Sequence, residues 1–463
     1  MLSFSHQTDT GKKRDHNEDF YEFNQELGVF IICDGMGGHA SGEVASKSAA
    51  QKILEILEKN KNSFLTLKSS EDISKRRNVV GVINKAIFEA NKYVHELAQK
   101  ETSKKGMGTT LVMALVTPCG IFIAHVGDSR AYLVRQQMVQ QLTEDHSLVN
   151  EMVRSGVLSK EAAKNHPQSN VITKAIGIRE AVTPDILFCE VMEGDTFILS
   201  TDGLHDYFRE NDIAIMREEN TIRTLASSFI KYANKKGGKD NVTCICLQIG
   251  EVGKPPQHPS QITVDTKVKT LKKIPLFAGL NYKELCQILE IIQIRNVTSG
   301  VEIVKEGKSG EDMFVLLKGY VSVYVDGRKV NELKPGQFFG EMSLIDKSPR
   351  SASVISDNDV KMMRLTRSEL FPLFKRESRI GLKVFWAFLQ NMNRRLRDND
   401  KLVTLMSREF EQKKIGEFDT FRPDNMTDKN LKEKYTEKYK DKIKGEKTET
   451  ENFLFDLSIL DFE

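Results

Sequence analysis

The chain has 463 residues, enough for two or three domains that each bury a core of their own. Its hydrophobic share of 39% and charged share of 29% are those of an ordinary soluble globular protein. The formal net charge of +3 is close to neutral for this length and excludes a bulk electrostatic attraction to nucleic acid or to a membrane surface.

Residues 1–250 alternate short apolar runs with helical segments. Three runs rich in valine, isoleucine and aromatic residues are typical of strands, and they cover 111–116, 121–126 and 131–134. The turn-like sequence 127–130 between the last two predicts a hairpin. Apolar residues at helical spacing predict helices over about 45–57 and 79–98. We therefore predict an α+β domain of mostly antiparallel sheets flanked by helices.

The amino-acid composition and pattern of the chain change after residue 250. Prolines and small polar residues predict a linker over 251–270. Glycines then punctuate short apolar runs over 271–397, which is typical of a small β-roll or barrel, with flanking helices predicted at 281–292 and 367–397. Residues 398–463 are rich in lysine and glutamate and predict a largely disordered tail or a solvated helix. It ends in the apolar segment 453–460, for which a helix that folds back is favoured over a partner-docking peptide.

The glycine-rich segment FIICDGMGGHASGE (30–43) has three possible functions. A nucleoside-triphosphate loop is excluded, because the segment lacks a Gly-Lys-Ser or Gly-Lys-Thr ending. A dinucleotide fingerprint, G-x-G-x-x-A, fits Gly35–Ala40, but Asp34 would then repel the pyrophosphate. A bound metal removes this conflict and makes Asp34 a candidate ligand.

Further aspartates occur at comparable turns, and a neighbouring arginine accompanies the first of them. These residues are Arg14, Asp19, Asp128, Asp202 and Asp240. Each aspartate alone is explained by ordinary turn chemistry. Together they form a set of hard oxygen ligands that suits Mg²⁺ or Mn²⁺ rather than zinc. Two such ions about 4 Å apart would hold a bridging water for attack on phosphorus, and an arginine would bind the phosphate. The pattern predicts a metal-dependent phosphohydrolase.

Residues 4–248 resemble the PPM (type 2C) serine/threonine protein phosphatases, particularly the bacterial ones. The motifs, in order, are R-x-x-N-E-D, DGMGGH, GTT, VGDSR, DHS, ITxAxG, STDGL and DNVT. The resemblance implies an α/β/β/α sandwich in which Asp34 bridges two metals and Gly35 adds its carbonyl, directly or through water. It further implies that Asp202 and Asp240 complete the second metal's shell and that Asp19 binds mainly through water. Asp128 would contribute to a third, weaker site, and Arg14 would bind the substrate phosphate.

Two positions depart from that family's pattern. Met36 stands where some eukaryotic members carry a histidine as candidate general acid, and His39 cannot take that role by position. Lys174 stands where the family often has arginine, so the charge is kept and the fork geometry is lost. The segment 146–170 corresponds to a mobile flap beside the site.

The downstream domain contains a second candidate site, FFGEMSLIDKSPRSASV (338–354). A glycine that begins a short helix exposes backbone N–H groups to an anion, and Arg350 brings a fork suited to phosphate. Glu341 would accept a sugar hydroxyl, or Glu341 and Arg350 only pair with each other.

Residues 271–395 resemble a cyclic-nucleotide-binding domain, through IPLFAGLNYKELCQILE, EIVKEGKSGEDMFVLLKGYVSVY and the segment above. The resemblance implies contacts from Glu341 to the ribose 2′-OH and from Arg350 to the cyclic phosphate. Backbone contacts would come from near Gly340, Met342 and Ser343. A hydroxyl at Ser351 can help to bind guanine, but cAMP binders also carry one, and cAMP is slightly favoured over cGMP.

The sequence thus predicts a phosphatase that uses two Mn²⁺ or Mg²⁺ ions, or three with the weaker site. Its substrate would be a protein phosphorylated on serine or threonine, such as a kinase or a regulator, and a cyclic nucleotide would regulate it. No apolar run approaches the roughly 18 residues of a membrane span, and the six scattered cysteines predict reduced thiols in a cytoplasmic protein. Two alternatives remain: a nucleotide-responsive binding protein with a weak phosphatase domain, or a phosphatase whose second domain is a ligand-free dimerisation or docking module.

Overall fold

The structure is a computed structural model of the chain. It describes residues 2–37, 40–67, 69, 72–101, 104–135, 138–155, 157–163, 166–168, 170–250, 264–345 and 349–414. The chain divides into two compact units, Met1–Val264 and Asp265–Glu463.

The first unit contains eleven strands and eight helices within the described residues. The strands are β1 (Leu2–Asp9), β2 (Asp19–Asn24), β3 (Val29–Met36), β4 (Gly108–Thr109), β5 (Leu111–Thr117), β6 (Gly120–Val126), β7 (Arg130–Arg135), β8 (Met138–Gln141), β9 (Asp185–Cys189), β10 (Thr196–Ser200) and β11 (Val242–Ile249). The helices are α1 (Ala40–Lys59), α2 (Asn62–Leu65), α3 (Ile73–Lys100), α4 (Leu148–Arg154), α5 (Lys160–Ala163), α6 (Asp202–His205), α7 (Glu210–Glu219) and α8 (Ile222–Lys236).

Two antiparallel sheets face each other in this unit. One has the order β1-β11-β10-β7-β8 and the other β2-β3-β5-β6-β9, with β4 paired to β3. Aromatic rings such as Phe4 on β1 and Phe30 on β3 pack between the sheets, with ring centroids 5.2 Å apart. Helices α1 and α3 cover the outer face of the second sheet, and α8 covers the first. The predicted α/β/β/α sandwich is confirmed.

Strand β3 shows why the opening segment of the site is so apolar. Val29, Ile31 and Cys33 pack against α1 and α3, whereas Phe30 and Ile32 are buried on the opposite face. A strand covered on both faces needs a continuous apolar run rather than an alternating one. Burial of each large side chain stabilises the fold by about 1.5–3 kcal/mol. Asp34 therefore lies near the end of a strand that is held firmly in place.

The hairpin predicted at 127–130 is wrong. β6 belongs to the second sheet and β7 to the first, so this turn crosses from one sheet to the other. Gly127 has φ of 99°, a left-handed conformation that glycine adopts without strain. The crossing brings Asp128 to the end of the sandwich where the two sheets meet.

The second unit is a β-roll of two antiparallel four-stranded sheets, as predicted. Their orders are β12-β19-β14-β17 and β13-β18-β15-β16. The strands are β12 (Gln293–Val297), β13 (Glu302–Val304), β14 (Asp312–Lys318), β15 (Val321–Val325), β16 (Arg328–Leu333), β17 (Phe338–Phe339), β18 (Ser353–Ser356) and β19 (Val360–Thr366). The helices are α9 (Val264–Lys273), α10 (Tyr282–Glu290), α11 (Arg367–Arg376) and α12 (Ser378–Lys414). Side chains from both sheets, Leu316 and Val321 among them, form one core.

Three predicted boundaries differ from the structure. Residues 264–270 of the predicted linker belong to α9, because Val264, Val268 and Leu271 are buried at helical spacing. The single helix predicted at 367–397 is two helices that meet at Glu377. The second of them, α12, runs past the predicted start of the tail at 398 as far as Lys414. The rest of the linker (251–263) and of the tail (415–463), including the apolar segment, lies outside the described residues.

No helix among the described residues is long and apolar enough to cross a bilayer. None of the six cysteines, all of which lie in described residues, forms a disulfide, and Cys244 and Cys246 lie side by side on β11 with sulfur atoms 3.5 Å apart.

Candidate active site and nucleotide site

Asp19 and Asp34 lie directly opposite each other on neighbouring strands β2 and β3. The backbone of Asp34 is held by the GTT motif. Its N–H donates to Thr110 Oγ1 (3.0 Å), and its carbonyl accepts from Thr109 Oγ1 and from the Thr110 N–H, both at 2.8 Å. These bonds fix the backbone from which the Asp34 carboxylate projects.

A glycine follows both Asp34, which lies near the end of β3, and Asp202, which begins α6 after β10, because the backbone there approaches another segment closely. A Cβ atom on Gly35 would clash with the carbonyl oxygen of Gly42 at the start of α1. A Cβ on Gly203 would clash with the carbonyl oxygen of Asn241. The aspartate-glycine pattern thus brings Asp202 beside the turn that precedes β11.

Asp19 is the most enclosed of these carboxylates, with 6% of the residue exposed. Its Oδ2 accepts hydrogen bonds from Thr201 Oγ1 at 3.0 Å and Thr243 Oγ1 at 2.7 Å. Its Oδ1 is buried and has no hydrogen-bond partner within the described part of the chain. A buried carboxylate oxygen without a donor is costly unless a cation binds it.

The aspartates raise one another's pKa. Burial, and then the charges of Asp19, Asp202, Asp128 and Asp240, hold the pKa of Asp34 well above its usual range. Burial, and then the charges of Asp128, Asp240, Asp206 and Asp19, likewise hold the pKa of Asp202 well above its usual range. Burial raises the pKa of Asp19 to about 7 and that of Asp128 to about 6. Carboxylates in such a group ionise together only when a cation compensates them, so the donor set fits hard divalent metal ions.

The remaining predicted groups lie at the edge of this set. Arg14 Nη2 donates to Asp240 Oδ2 at 2.8 Å, and its side chain is 52% exposed. The carbonyl of Asp128 accepts from His205 Nε2 at 3.1 Å, while His205 Nδ1 is buried and makes no hydrogen bond to a described residue. Burial lowers the pKa of His205 to about 3, so the ring is neutral and carries its proton on Nε2. An arginine fork facing solvent beside buried carboxylates is an arrangement that can bind a phosphate group.

In the second unit, Gly340 has φ of 80° and precedes a single 3₁₀ turn, Glu341–Leu344, where a short helix was predicted. Arg350 is 8% exposed and donates from Nη1 to Ser343 Oγ at 2.8 Å. A Cβ on Gly310 or Gly340 would clash with its guanidinium. Burial lowers the pKa of Arg350, and no ion pair neutralises it among the described residues. An enclosed cation of this kind is suited to an anionic ligand.

Glu341 and Arg350 do not pair with each other. Glu341 Oε1 accepts instead from Arg395 Nη2 of α12 at 2.6 Å. The same guanidinium lies 4.0 Å from the sulfur of Met342. Ser351 is exposed at the surface. The structure thus brings together Gly340, Ser343 and Arg350, and it adds Arg395, which the sequence motif did not indicate.

Comparison with known proteins decides the family. The model of the family described as "Protein phosphatase 2C" matches residues 7–241, about half of the chain. This chain belongs to the protein phosphatase 2C family. The model described as "Cyclic nucleotide-binding domain" matches residues 294–377. Both predicted resemblances are confirmed, and so, at the level of the family, is the predicted serine/threonine phosphatase.

Individual relatives match the phosphatase unit almost end to end. The serine/threonine phosphatase stp of Listeria monocytogenes is 38% identical over 245 residues, which are 52% of this chain and 93% of the relative. The protein phosphatase PhpP of Streptococcus pneumoniae is 32% identical over 257 residues, 53% of this chain and 96% of the relative. The crystal structure of serine/threonine phosphatase Stp1 from Staphylococcus aureus is 36% identical, covers 54% of this chain and 95% of its own, and has a TM-score of 0.48.

A second group of possible metal ligands in the phosphatase unit is already satisfied. Ligand atoms of His125, His146 and Asp185 lie within 4.8 Å of one another. The Gly127 N–H donates to His146 Nδ1 at 3.1 Å, which places the ring proton on Nε2, 3.3 Å from Asp185 Oδ1. The Lys174 ammonium lies 3.6 Å from the same Asp185 Oδ1 and so balances its charge. His146 therefore has no free lone pair for a metal, and the group braces the turn before Asp128.

Sequence reasoning missed Thr201, Thr243 and His205 in the phosphatase. Thr201 and Thr243 stand inside the identified motifs STDGL and DNVT, and His205 directly follows STDGL; each lies within three residues of a predicted ligand. Threonine and histidine at such positions were the available signal, because a buried carboxylate or carbonyl needs donors close by.

Proposed function

We propose that this phosphatase hydrolyses phosphoserine and phosphothreonine in proteins with Mn²⁺ or Mg²⁺, and that a cyclic nucleotide bound to its second unit changes this activity. The observation that carries the first half is the Asp19 carboxylate, buried with Oδ1 unpaired among carboxylates of raised pKa. The mutual repulsion of such buried carboxylates is relieved better by a bound multivalent cation than by protonation of the carboxylates.

The proposed metal ligands divide between two ions and a weaker third. Asp34 would serve both of the first two ions, and the Gly35 carbonyl would bind directly or through water. Asp202 and Asp240 would complete the shell of the second ion, Asp19 would act mainly through water, and Asp128 would serve the third. When bound, the ions supply a water of lowered pKa as the nucleophile. Arg14 would leave Asp240 to hold the phosphate of the substrate in line, since its half-exposed fork is free to turn toward solvent. The mechanism needs no protein side chain as nucleophile.

The experiment that tests the metal site is hydrolysis of a phosphothreonine peptide in a Mn²⁺ titration. Asp202→Asn keeps the size of the side chain and removes its charge, so turnover should fall by more than about 100-fold. The control is Glu219→Gln, which removes an exposed carboxylate from α7 of the same unit and should leave turnover unchanged. Activity that persists in Asp202→Asn would contradict the assigned site.

The second half of the proposal rests on Arg350, a buried guanidinium with no described ion pair that faces the turn at Gly340. We propose that it binds the cyclic phosphate, that Glu341 accepts the ribose 2′-OH, and that backbone groups near Gly340, Met342 and Ser343 complete the contacts. cAMP is proposed ahead of cGMP because Ser351, the residue suited to guanine, is exposed.

Calorimetry with cAMP and cGMP tests this site apart from catalysis. Arg350→Ala removes the cation that would pair with the buried cyclic phosphate of the nucleotide. It should therefore weaken binding by at least about 30-fold. The peptide assay, repeated with each nucleotide, then measures the coupling between the sites, which is typically about 5- to 150-fold. Binding without any change in turnover would leave the nucleotide without a regulatory role, and no binding would favour a ligand-free module.

A further inference from the structure

Two loops of the phosphatase unit lie against each other at the edge of the candidate active site. The first, residues 10–18, joins β1 to β2 and carries Arg14; the second, residues 237–241, joins α8 to β11 and carries Asp240. Because β1 and β11 pair antiparallel as far as these loops, both leave the sheet at the same end. The Arg14 guanidinium donates to Asp240 from one loop to the other at 2.8 Å. The two loops therefore border the group of aspartates that is proposed to bind the metals.

The two loops are held together by the Asn241 side chain. Its Nδ2 donates to the carbonyls of Thr10 at 3.0 Å and His16 at 2.8 Å, and its Oδ1 accepts from the N–H of Glu18 at 2.8 Å. A further backbone hydrogen bond of 2.8 Å joins Lys12 to the second loop. The backbone that carries the side chains of both loops is therefore fixed beside the site before a substrate binds.

Five lysines cluster on these loops and on the last turn of α8, which leads into the second loop. We call them the lysine rim, and they are Lys12, Lys13, Lys235, Lys236 and Lys239. All five are exposed, and none forms an ion pair with a residue that the structure describes. The same stretches, 11–16 and 235–240, contain two carboxylates, Asp15 and Asp240. Like charges this close repel one another, and an anionic partner relieves the repulsion.

The lysine rim lies within reach of a peptide whose phosphoryl group is bound at Arg14. Lys12 and Lys13 are two residues and one residue from Arg14, so their Cα atoms are at most about 7 Å from its own. Lys239 directly precedes the proposed metal ligand Asp240. An extended peptide covers about 3.3–3.6 Å per residue, so residues two to five positions from a phosphothreonine lie about 7–18 Å from it. Neighbouring residues of a substrate can therefore contact the rim while the phosphate is at the metals.

The chemistry of the rim indicates what it binds. A lysine is a flexible point charge rather than a rigid fork, so several lysines together suit anionic groups whose positions vary from one partner to another. The net charge of the whole chain is only +3, so the rim is a local excess and not part of a general attraction to polyanions such as nucleic acid.

We propose that the lysine rim selects phosphoprotein segments that carry further negative charges beside the phosphoserine or phosphothreonine, an inference that rests on the proposed function. The further charges are aspartate and glutamate side chains or a second phosphate group, and the same electrostatic attraction holds both. Arg14 binds the phosphate that is hydrolysed, and the rim binds the charges around it. Such contacts increase specificity and the rate of encounter without taking part in the chemical step.

Peptide kinetics with Mn²⁺ test this preference. Three phosphothreonine peptides of equal length are compared: one with uncharged neighbours, one with aspartates two to five positions away on both sides, and one with a non-hydrolysable phosphonate analogue of phosphoserine at such a position. The unmodified chain should show a kcat/KM about 3- to 10-fold higher for both charged peptides. The gain should be in KM, because contacts away from the reacting group strengthen substrate and transition state alike. The preference should disappear at about 1 M salt, where the screening length is about 3 Å.

Two variants of the rim test which residues are responsible. Lys12→Gln/Lys13→Gln and Lys235→Gln/Lys236→Gln each remove two charges. Each should lower the ratio of kcat/KM for the aspartate peptide over the uncharged peptide by about 3-fold. This ratio cancels any general loss of activity in a variant. The matched control Lys85→Gln/Lys92→Gln removes two exposed charges from α3, which covers the outer face of the second sheet, and should keep the ratio of the unmodified chain.

The outcomes separate this inference from the proposed function. Equal kcat/KM values for the charged and uncharged peptides in the unmodified chain would overturn the lysine rim and leave the phosphatase activity as proposed. A preference of the same size in the rim variants and in the control would place recognition elsewhere and would also overturn it. A preference for only one of the two charged peptides would support the rim and identify the source of the charge. A folded chain that hydrolyses none of the peptides would contradict the proposed function, and the rim with it.

Discussion

Arg395 donates a hydrogen bond of 2.6 Å to Glu341. Their side chains are 19% and 10% exposed, so the contact is largely removed from solvent. The two residues are 54 positions apart and join the long C-terminal helix to the turn that is proposed to bind the sugar of a cyclic nucleotide. Because Arg395 occupies Oε1, the other oxygen of Glu341 remains for a ribose hydroxyl. Nucleotide and helix would then share one carboxylate.

Removal of the Arg395 guanidinium should weaken cAMP binding. The variant Arg395→Gln leaves Glu341 enclosed without a cation, and a charge-assisted hydrogen bond contributes about 1.5–3 kcal/mol, so the dissociation constant should rise by about 10-fold or more. Calorimetry on the full chain measures this. Arg397→Gln, an exposed arginine two residues further along α12, is the matched control and should bind as the unmodified chain does. Tighter binding by Arg395→Gln would show that Arg395 competes with the sugar.

The hydroxyl of Thr243 should be needed for metal binding although it is not a proposed ligand. It donates to Asp19 Oδ2 at 2.7 Å and so aims the free Oδ1. Loss of an outer contact of this kind typically costs about 10- to 100-fold in metal affinity. Thr243→Val should raise the Mn²⁺ concentration needed for half-maximal turnover by that factor, and Thr243→Ser should restore it. If both variants needed the same Mn²⁺ concentration for half-maximal turnover, Thr243 would contribute through packing alone.

His205 should act through Asp128. Its Nε2–H holds the Asp128 carbonyl at 3.1 Å, and its pKa of about 3 keeps it neutral throughout the working range. Gln carries an amide donor at a similar reach, whereas Leu carries none. We expect His205→Leu to lower turnover by about 10-fold at limiting Mn²⁺ and His205→Gln to recover most of it. A turnover loss in His205→Leu that saturating Mn²⁺ does not reduce would contradict a role in positioning the third site.

Local patterns indicated candidate ligand positions, which stay a prediction, but they could not predict which strands pair with each other over long range. Asp34 and Asp202 could be identified as candidates because an apolar strand, an aspartate and a glycine follow one another in the chain. The crossing of the chain from one sheet to the other at Asp128 could not be predicted, because hydrophobic periodicity identifies a strand without saying which sheet it joins. β6 and β7 look like partners in the sequence and lie in different sheets.

The same limit explains Arg395 and α12. Charged residues on a helix normally face solvent, and nothing in the motif around Glu341 points to a residue so far along the chain. The tail was predicted from 398 because composition turns polar there, yet the helix continues to Lys414. Composition averages over all faces of a helix, whereas the apolar residues Leu382, Leu389 and Leu396 lie on only one of them.

The metal-free phosphatase should lose stability as the pH rises. Asp19 and Asp128 have folded-state pKa values of about 7 and about 6, raised above the unfolded value of about 3.9. A carboxyl whose folded pKa is raised contributes stability that is complete below the unfolded pKa and is lost as the pH rises through the folded one. Thermal unfolding of the chelator-treated chain should therefore show a melting temperature for the phosphatase unit that falls between about pH 4 and pH 7.

Mn²⁺ should reverse this trend, since it binds the ionised carboxylates and releases their protons. With the metal in excess, the same melting temperature should rise over that interval, and protons should appear in an unbuffered titration. Asp202→Asn removes one of the repelling charges, so its metal-free form should be more stable than the unmodified chain near pH 7 while Mn²⁺ stabilises it less. A metal-free chain with a melting temperature that does not change across this range would contradict the raised pKa values on which the metal assignment depends.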